Sequence, residues 1–322
     1  MSIRFSTVLA TVFILISPPA AADQSAPVPA TTSLRATDCR FARTPLVAGD
    51  GNFHGFNHQT LPRDDLFRPL AAAPLEPRFS GNYGVARFDP DLGQNSTFNQ
   101  FISILVGLAG GAGIWSWRND QTCDGVQINI FGGAFSLFAI NPLFLVNIDY
   151  QGGFSATTSL GNLSGRLRVY HQSSHLGDDF LFANPDLPSE NLSFEAVDLL
   201  ASITGQWWRL YAGGGYFLRA DPRGMERITL QAGAEIRSES WERQGPFSTM
   251  QWTPIAATDL FSHQARDWGI TSNTNAGIEL VGSSRRRRFR LLATFLYGYA
   301  PVGVFFDEHR ITSGGLETQF IY

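Results

Sequence analysis

The stretch 226-ERITLQAGAEIR-237 alternates without a break. Ile228, Leu230, Ala232, Ala234 and Ile236 occupy one face of an extended chain, and Arg227, Thr229, Gln231, Gly233, Glu235 and Arg237 the other. Successive side chains of a strand point to opposite sides, so this segment has one apolar face and one polar face. In 206-QWWRLYAGGGYFLRA-220, Trp208, Leu210, Ala212, Gly214, Tyr216 and Leu218 share a face, while Arg209, Tyr211, Gly213, Gly215 and Arg219 share the opposite one. A third run, 289-FRLLATFLYGYA-300, puts Phe289, Leu291, Ala293, Phe295, Tyr297 and Tyr299 together. Alternations of this length are long for a soluble sheet and match membrane-crossing strands of roughly 9–11 residues. The fold class expected is all-β: a transmembrane antiparallel β-barrel of about 12 strands with an irregular N-terminal extension, its apolar faces outward and its charges in the lumen.

The N-terminus gives a matching address. MSIRFSTVLATVFILISPPAAA carries one charge, Arg4, then an apolar run, then Ala20-Ala21-Ala22. This is the pattern of a secretory signal peptide over residues 1–22, cut near Ala22, and with the barrel it predicts the bacterial outer membrane. Loss of Arg4 takes the formal charge from −4 to −5, which does not suggest a nucleic-acid partner, and the absence of lysine excludes lysine chemistry. Cys39 and Cys123 reach an oxidising compartment and are expected to pair. At the other end Leu316, Thr318, Phe320 and Tyr322 alternate, so the terminal Tyr322 is expected to be read by the barrel-assembly machinery.

Counting back from Tyr322, strands are expected near 315–322, 288–300, 269–281, 249–260, 226–239, 206–219, 191–204 and 162–175, preceded by 143–156, 126–138, 97–108 and 79–89. Short links at 205–206 and Gly282–Arg287 then fall in the periplasm, and 176–190, 220–225, 261–268 and 301–314 face outward. Residues 109–125, with Cys123, form a periplasmic link on this map. Residues 79–322 make the barrel. Residues 23–78 lack periodicity and are rich in Pro and Ala: a periplasmic extension or linker, holding either one short helix or a segment that plugs the barrel mouth.

The strand 162–175 runs into 166-RLRVYHQSSHLGDD-179. Leu163, Gly165, Leu167, Val169, His171 and Ser173 share the lipid face, and Arg166, Arg168, Tyr170 and Gln172 face the lumen. Residues i and i+2 lie about 6.6 Å apart on one face, so an imidazole base and a serine nucleophile come within reach of each other. On the next strand, Asn191, Ser193 and Glu195 continue the apolar face of Val197, Leu199, Ala201 and Ile203, so Glu195 or Asn191 can orient His171. The candidate catalytic set is therefore Ser173, His171, and Glu195 or Asn191, with a backbone amide near Ser174–Gly177 as the candidate oxyanion donor. Its substrate lies among membrane lipids or lipopolysaccharide, where head groups and ester bonds meet the barrel wall.

This arrangement resembles that of outer-membrane phospholipase A and of the lipid A 3-O-deacylases, barrels with a His-x-Ser pair on the outer wall and an Asn or a Glu as third member. The resemblance implies His171 as base and Ser173 as nucleophile of an ester hydrolase; Ser174 stands where those families carry Asn. Over most of the mature chain, LAAAPLEPRFSGNY, YHQSSHLGDDFL and ENLSFEAVDLL are similar to segments of bacterial envelope proteins grouped as domain-of-unknown-function family 1207, which implies no established activity.

Other readings carry less. His171 and His175 sit about 13 Å apart on a strand, too far to share zinc. Asp178, Asp179, Asp186 and Glu190 in the outer loop form the one candidate calcium site. The luminal set Arg166, Arg168, Asp198, Arg209, Arg227, Glu235 and Arg237 either pairs up and stiffens a narrow barrel or lines a selective pore. The alternative to an enzyme is a non-enzymatic barrel: a pore, or a structural or biogenesis protein whose N-terminal extension serves as a docking arm.

Overall fold

A computed structural model describes residues 55–62, 65–89, 100–119, 122–140, 143–184, 192–244, 249–282, 287–301, 303–305 and 309–321. The expected signal peptide, Cys39 and Tyr322 lie outside the described residues. Two short strands, β1 (Phe56–Thr60) and β10 (Trp241–Gln244), stand beside twelve longer ones. The first six of these are β2 (Phe79–Asp89), β3 (Gln100–Asn119), β4 (Gly125–Ile140), β5 (Phe144–Leu160), β6 (Leu163–Leu176) and β7 (Leu192–Thr204). The other six are β8 (Trp208–Asp221), β9 (Ile228–Arg237), β11 (Thr249–His263), β12 (Ile270–Val281), β13 (Arg288–Tyr299) and β14 (Arg310–Ile321). Each long strand pairs antiparallel with its neighbours, and β14 pairs with β2, so the wall closes as a twelve-stranded barrel. Closure leaves none of these strands with a free edge along its full length. β1 and β10 lengthen the wall by pairing with β3 and β11.

Alternation sets the two faces as the sequence indicated. Leu163, Leu167 and Val169 of β6, Leu230 and Ile236 of β9, and Leu291, Phe295 and Tyr297 of β13 are exposed on the outside. Arg166, Arg168, Arg209, Glu235 and Arg290 are buried inside. The bore is filled by ion pairs. Arg168 holds Asp198 through three hydrogen bonds of 2.6 to 3.0 Å. Glu279 accepts from Arg237 and Arg288 at 2.7 Å and from Arg290 at 2.8 Å. Buried guanidiniums without partners would be costly to keep in the low-dielectric bore, and Glu279 offsets that cost for three of them at once.

Residues 65–78 pass through this bore as an irregular segment. Pro69, Pro74 and Pro77 lack the amide a strand ladder needs, and Ala71-Ala72-Ala73 is small enough to fit among the inward side chains. Their backbone groups are satisfied by the wall. Ala71 N–H donates to Glu235 Oε1 at 2.8 Å, and Ala71 O accepts from Gln319 Nε2 at 2.8 Å and Asn275 Nδ2 at 3.1 Å. Ala72 O accepts from Asn273 Nδ2 at 2.6 Å. Phe67 lies between the guanidiniums of Arg166 and Arg209, 4.7 and 4.5 Å from its centroid, a cation–π contact on each side. Glu76 closes a two-pronged pair with Arg166 at 2.6 and 3.1 Å. Within the described part of the extension, Phe56–Thr60 form β1 on the wall, which was not expected, and residues 65–78 lie in the bore.

Three expectations need correction. First, residues 109–119 are not a link: β3 runs on to Asn119, because Gly110, Gly111 and Gly113 interrupt the apolar alternation without breaking the pairing with β4. Second, Arg227 is not luminal; the chain has left the strand there, and Arg227 is exposed, donating to Leu218 O and lying over Tyr216. Third, Arg219 is not luminal either. A bulge in β8 shifts the register, so Ala196 faces Phe217 but Glu195 faces Arg219, and the odd positions beyond it turn outward. Arg288 starts β13, as the strand expected near 288–300 requires, and its side chain is buried on Glu279.

Candidate functional site

The site grows from the pairing of β6 with β7. Their register places His171 opposite Glu195 and Ser173 opposite Ser193. All four are on the outer face, next to the loop 177–191. The two strands are joined by that long loop, so no tight turn fixes this register. The hydrophobic pattern fixes it instead, since a slip of one residue would turn Leu167, Val169, Val197 and Leu199 into the charged bore.

The imidazole Nδ1 of His171 lies 3.2 Å from Glu195 Oε1, with side-chain exposures of 51% and 39%. An ionised carboxylate only accepts, so in a neutral imidazole this contact goes with the tautomer that carries its proton on Nδ1 and its lone pair on Nε2. Ser173 is the next residue on the same face; no hydrogen bond joins it to His171 among the described residues, and such bonds often tighten only when substrate binds. Asn191, the other expected orienter, lies outside the described residues. Asp178 and Asp179 open a short helix, α1 (Asp178–Ala183), while Asp186 and Glu190 lie outside the described residues. Among the described residues no three metal-ligating side chains cluster.

Cross-strand register reveals two neighbours that sequence reading missed. On β8, Arg219 faces Glu195, so a cation flanks the carboxylate on the side away from His171. On the other side the same row continues from His171 to Gly152 on β5, Gly132 on β4 and Gly110 on β3. Three glycines side by side leave a shallow trough in the outer wall, spanning roughly 10 Å from the first strand to the third. It is bounded by outward Leu108 and Tyr150 on one side and by Ile130 and Phe154 on the other. The trough leads straight to the imidazole. The only sequence signal was the recurrence of glycine pairs in 109-AGGAG-113, 131-FGG-133 and 151-QGG-153, which becomes a groove only once the strands are aligned.

Comparison with solved structures finds similar barrels at low likeness. LpxR from Salmonella typhimurium matches at a TM-score of 0.35 and 10% identity, over 76% of this chain and 100% of that one. An anion-selective porin from Comamonas acidovorans matches at 0.31 and 10%, over 76% and 98%. No curated protein matches the sequence. The family model described as "Protein of unknown function (DUF1207)" matches residues 20–322, and the chain belongs to that family.

Proposed function

We propose that this protein is an outer-membrane lipid ester hydrolase working on the outer wall of a closed barrel. The observation that carries the reading is the His171–Glu195 contact at 3.2 Å on the lipid face, one residue pair along from Ser173. In this reading Glu195 holds the imidazole with its proton on Nδ1. Nε2 takes the Ser173 hydroxyl proton as the oxygen attacks an acyl ester, and returns it to the departing alcohol. Water then hydrolyses the acyl-serine by the same base. The glycine trough is placed to receive an acyl chain lying across the strands, and Arg219 to meet an anionic head group. The substrate class is an acylated membrane lipid, phospholipid or lipopolysaccharide.

The plug bears on the alternative. A bore crossed by residues 65–78 and packed with ion pairs does not favour an open pore. The reading is tested by trapping: a long-chain fluorophosphonate should label the wild-type protein on the peptide carrying Ser173. It should fail to label His171→Asn protein that has refolded to the same degree. Absence of label on wild type in lipid vesicles, with and without calcium, contradicts it.

A further inference from the structure

Above the plug the bore retains a cavity of about 140 Å³. Ala73 to Glu76 of the plug form its floor, and Pro301 and Gly303 line it from the chain beyond β13. Gly303 N–H is tied to the wall by a 3.0 Å bond to Asp149 Oδ2. The cavity has an aromatic side, made by Tyr170, Phe194, Phe217 and Phe261, in which the Phe194 and Phe217 rings stack at 4.2 Å. Asp259 and Gln231, on adjacent strands β11 and β9, line it together with Arg168, His263 and Arg266.

Asp259 differs from the other carboxylates lining this space. Glu76 is held by Arg166, and Asp198 by Arg168. Asp259 is only 2% exposed, yet no cation lies within ion-pair distance of it among the described residues. Its two hydrogen bonds, from Tyr211 OH at 2.6 Å and Gln231 Nε2 at 2.9 Å, both end on Oδ1. Oδ2 is left to the cavity. A buried carboxylate in an aromatic-walled space, lacking a counter-charge, is a recognition element for a cation: the charge supplies the pairing and the ring faces attract a positive group. A dry cavity of about 150 Å³ holds a molecule of benzene's size, which sets the scale of the occupant.

We propose that this cavity binds a small organic cation, a primary ammonium seated on Asp259 with an apolar body no larger than one aromatic ring. The site is separate from the outer-wall constellation and does not depend on the enzyme reading. Benzylamine is the probe, with benzyl alcohol and benzoate as its neutral and anionic counterparts, titrated calorimetrically into the refolded full-length protein in detergent micelles. Benzylamine should bind saturably with one site per chain. Benzyl alcohol should bind at least about tenfold more weakly, because it can donate a hydrogen bond to the carboxylate but brings no positive charge, and a difference of about 1.4 kcal/mol is tenfold. Asp259→Asn keeps an acceptor for Tyr211 and Gln231, and it should lose that preference while still migrating as a folded barrel. The wild-type comparison stands even if the variant fails to fold. No saturable binding of benzylamine, equal binding of the alcohol, tighter binding of benzoate, or unchanged preference in a folded Asp259→Asn protein would each overturn the proposal.

Discussion

Replacing Glu279 by Gln removes one negative charge from the centre of three guanidiniums. Arg237, Arg288 and Arg290 all donate to it at 2.7 to 2.8 Å, and all three are at least largely buried in the bore. Glutamine has nearly the same shape and can still accept from one of them, so the change is one of charge rather than packing. Removing one partner of a buried ion pair typically costs about 3–5 kcal/mol, since the remaining charge stays buried without compensation. With a urea slope of about 3 kcal/mol per molar, the midpoint of unfolding should fall by about 1–2 M. The assay is urea unfolding of protein refolded into lipid vesicles, followed by tryptophan fluorescence. Adding Arg290→Met to Glu279→Gln should recover part of the loss, because removing both partners is closer to neutral. A shift below about 0.3 M in the single variant, about 1 kcal/mol at that slope, would refute the claim that these pairs hold the bore together.

The other expectations concern the site, the plug and the cysteines. Glu195→Gln should lower ester turnover by about 10²–10⁴, the range for losing an orienting carboxylate or its base, whereas Asn191→Ala should leave it within about threefold if Glu195 is the orienter. The reverse ranking in the same turnover assay assigns the role to Asn191. Gly132→Leu should raise KM for long-chain esters more than for short ones, since it fills the trough one strand away from the strand that pairs with His171; an equal effect on both chain lengths removes the trough from the account. Wild-type protein in planar bilayers should show no steady conductance, and replacing residues 66–76 with a Gly-Ser linker should produce one. Wild-type channels as conductive as the linker variant would contradict a plugging role. Finally, neither Cys39 nor Cys123 should react with maleimide in unfolded, unreduced protein, and both should react after reduction; labelling before reduction excludes the pair.

The wall of this barrel is legible in the sequence because a single rule, alternation, is obeyed by nearly every strand. Ile228 to Ile236 needed no structure to be placed on the lipid face. The failures fall where the rule breaks locally. Glycines 110, 111 and 113 erased the pattern in the inner half of β3, and an unseen bulge moved Arg219 to the outside. The plug was legible only as an absence of period, since its prolines and alanines are defined by what surrounds them. What reaches Ala71 comes from Glu235, Asn275 and Gln319, residues far away in sequence. At the candidate site, parity alone put His171, Ser173 and Glu195 on one face. Which residue faces which is a matter of register, and the pairing of His171 with Glu195, the row of glycines and the flanking arginine emerged only when the strands were aligned. Likewise the cavity at Asp259 has no sequence signature, because its uncompensated charge is defined by the cations that are not beside it.

The most direct measurement is mass spectrometry of lipids after incubation with the refolded barrel, wild type beside Ser173→Ala at equal folded amounts. Phospholipid and lipopolysaccharide vesicles are tested separately, each with and without calcium. The account predicts deacylated lipid and free fatty acid from the wild type in at least one of these, and none above background from the variant. Intact lipids from both proteins, or the same products from both, would contradict it.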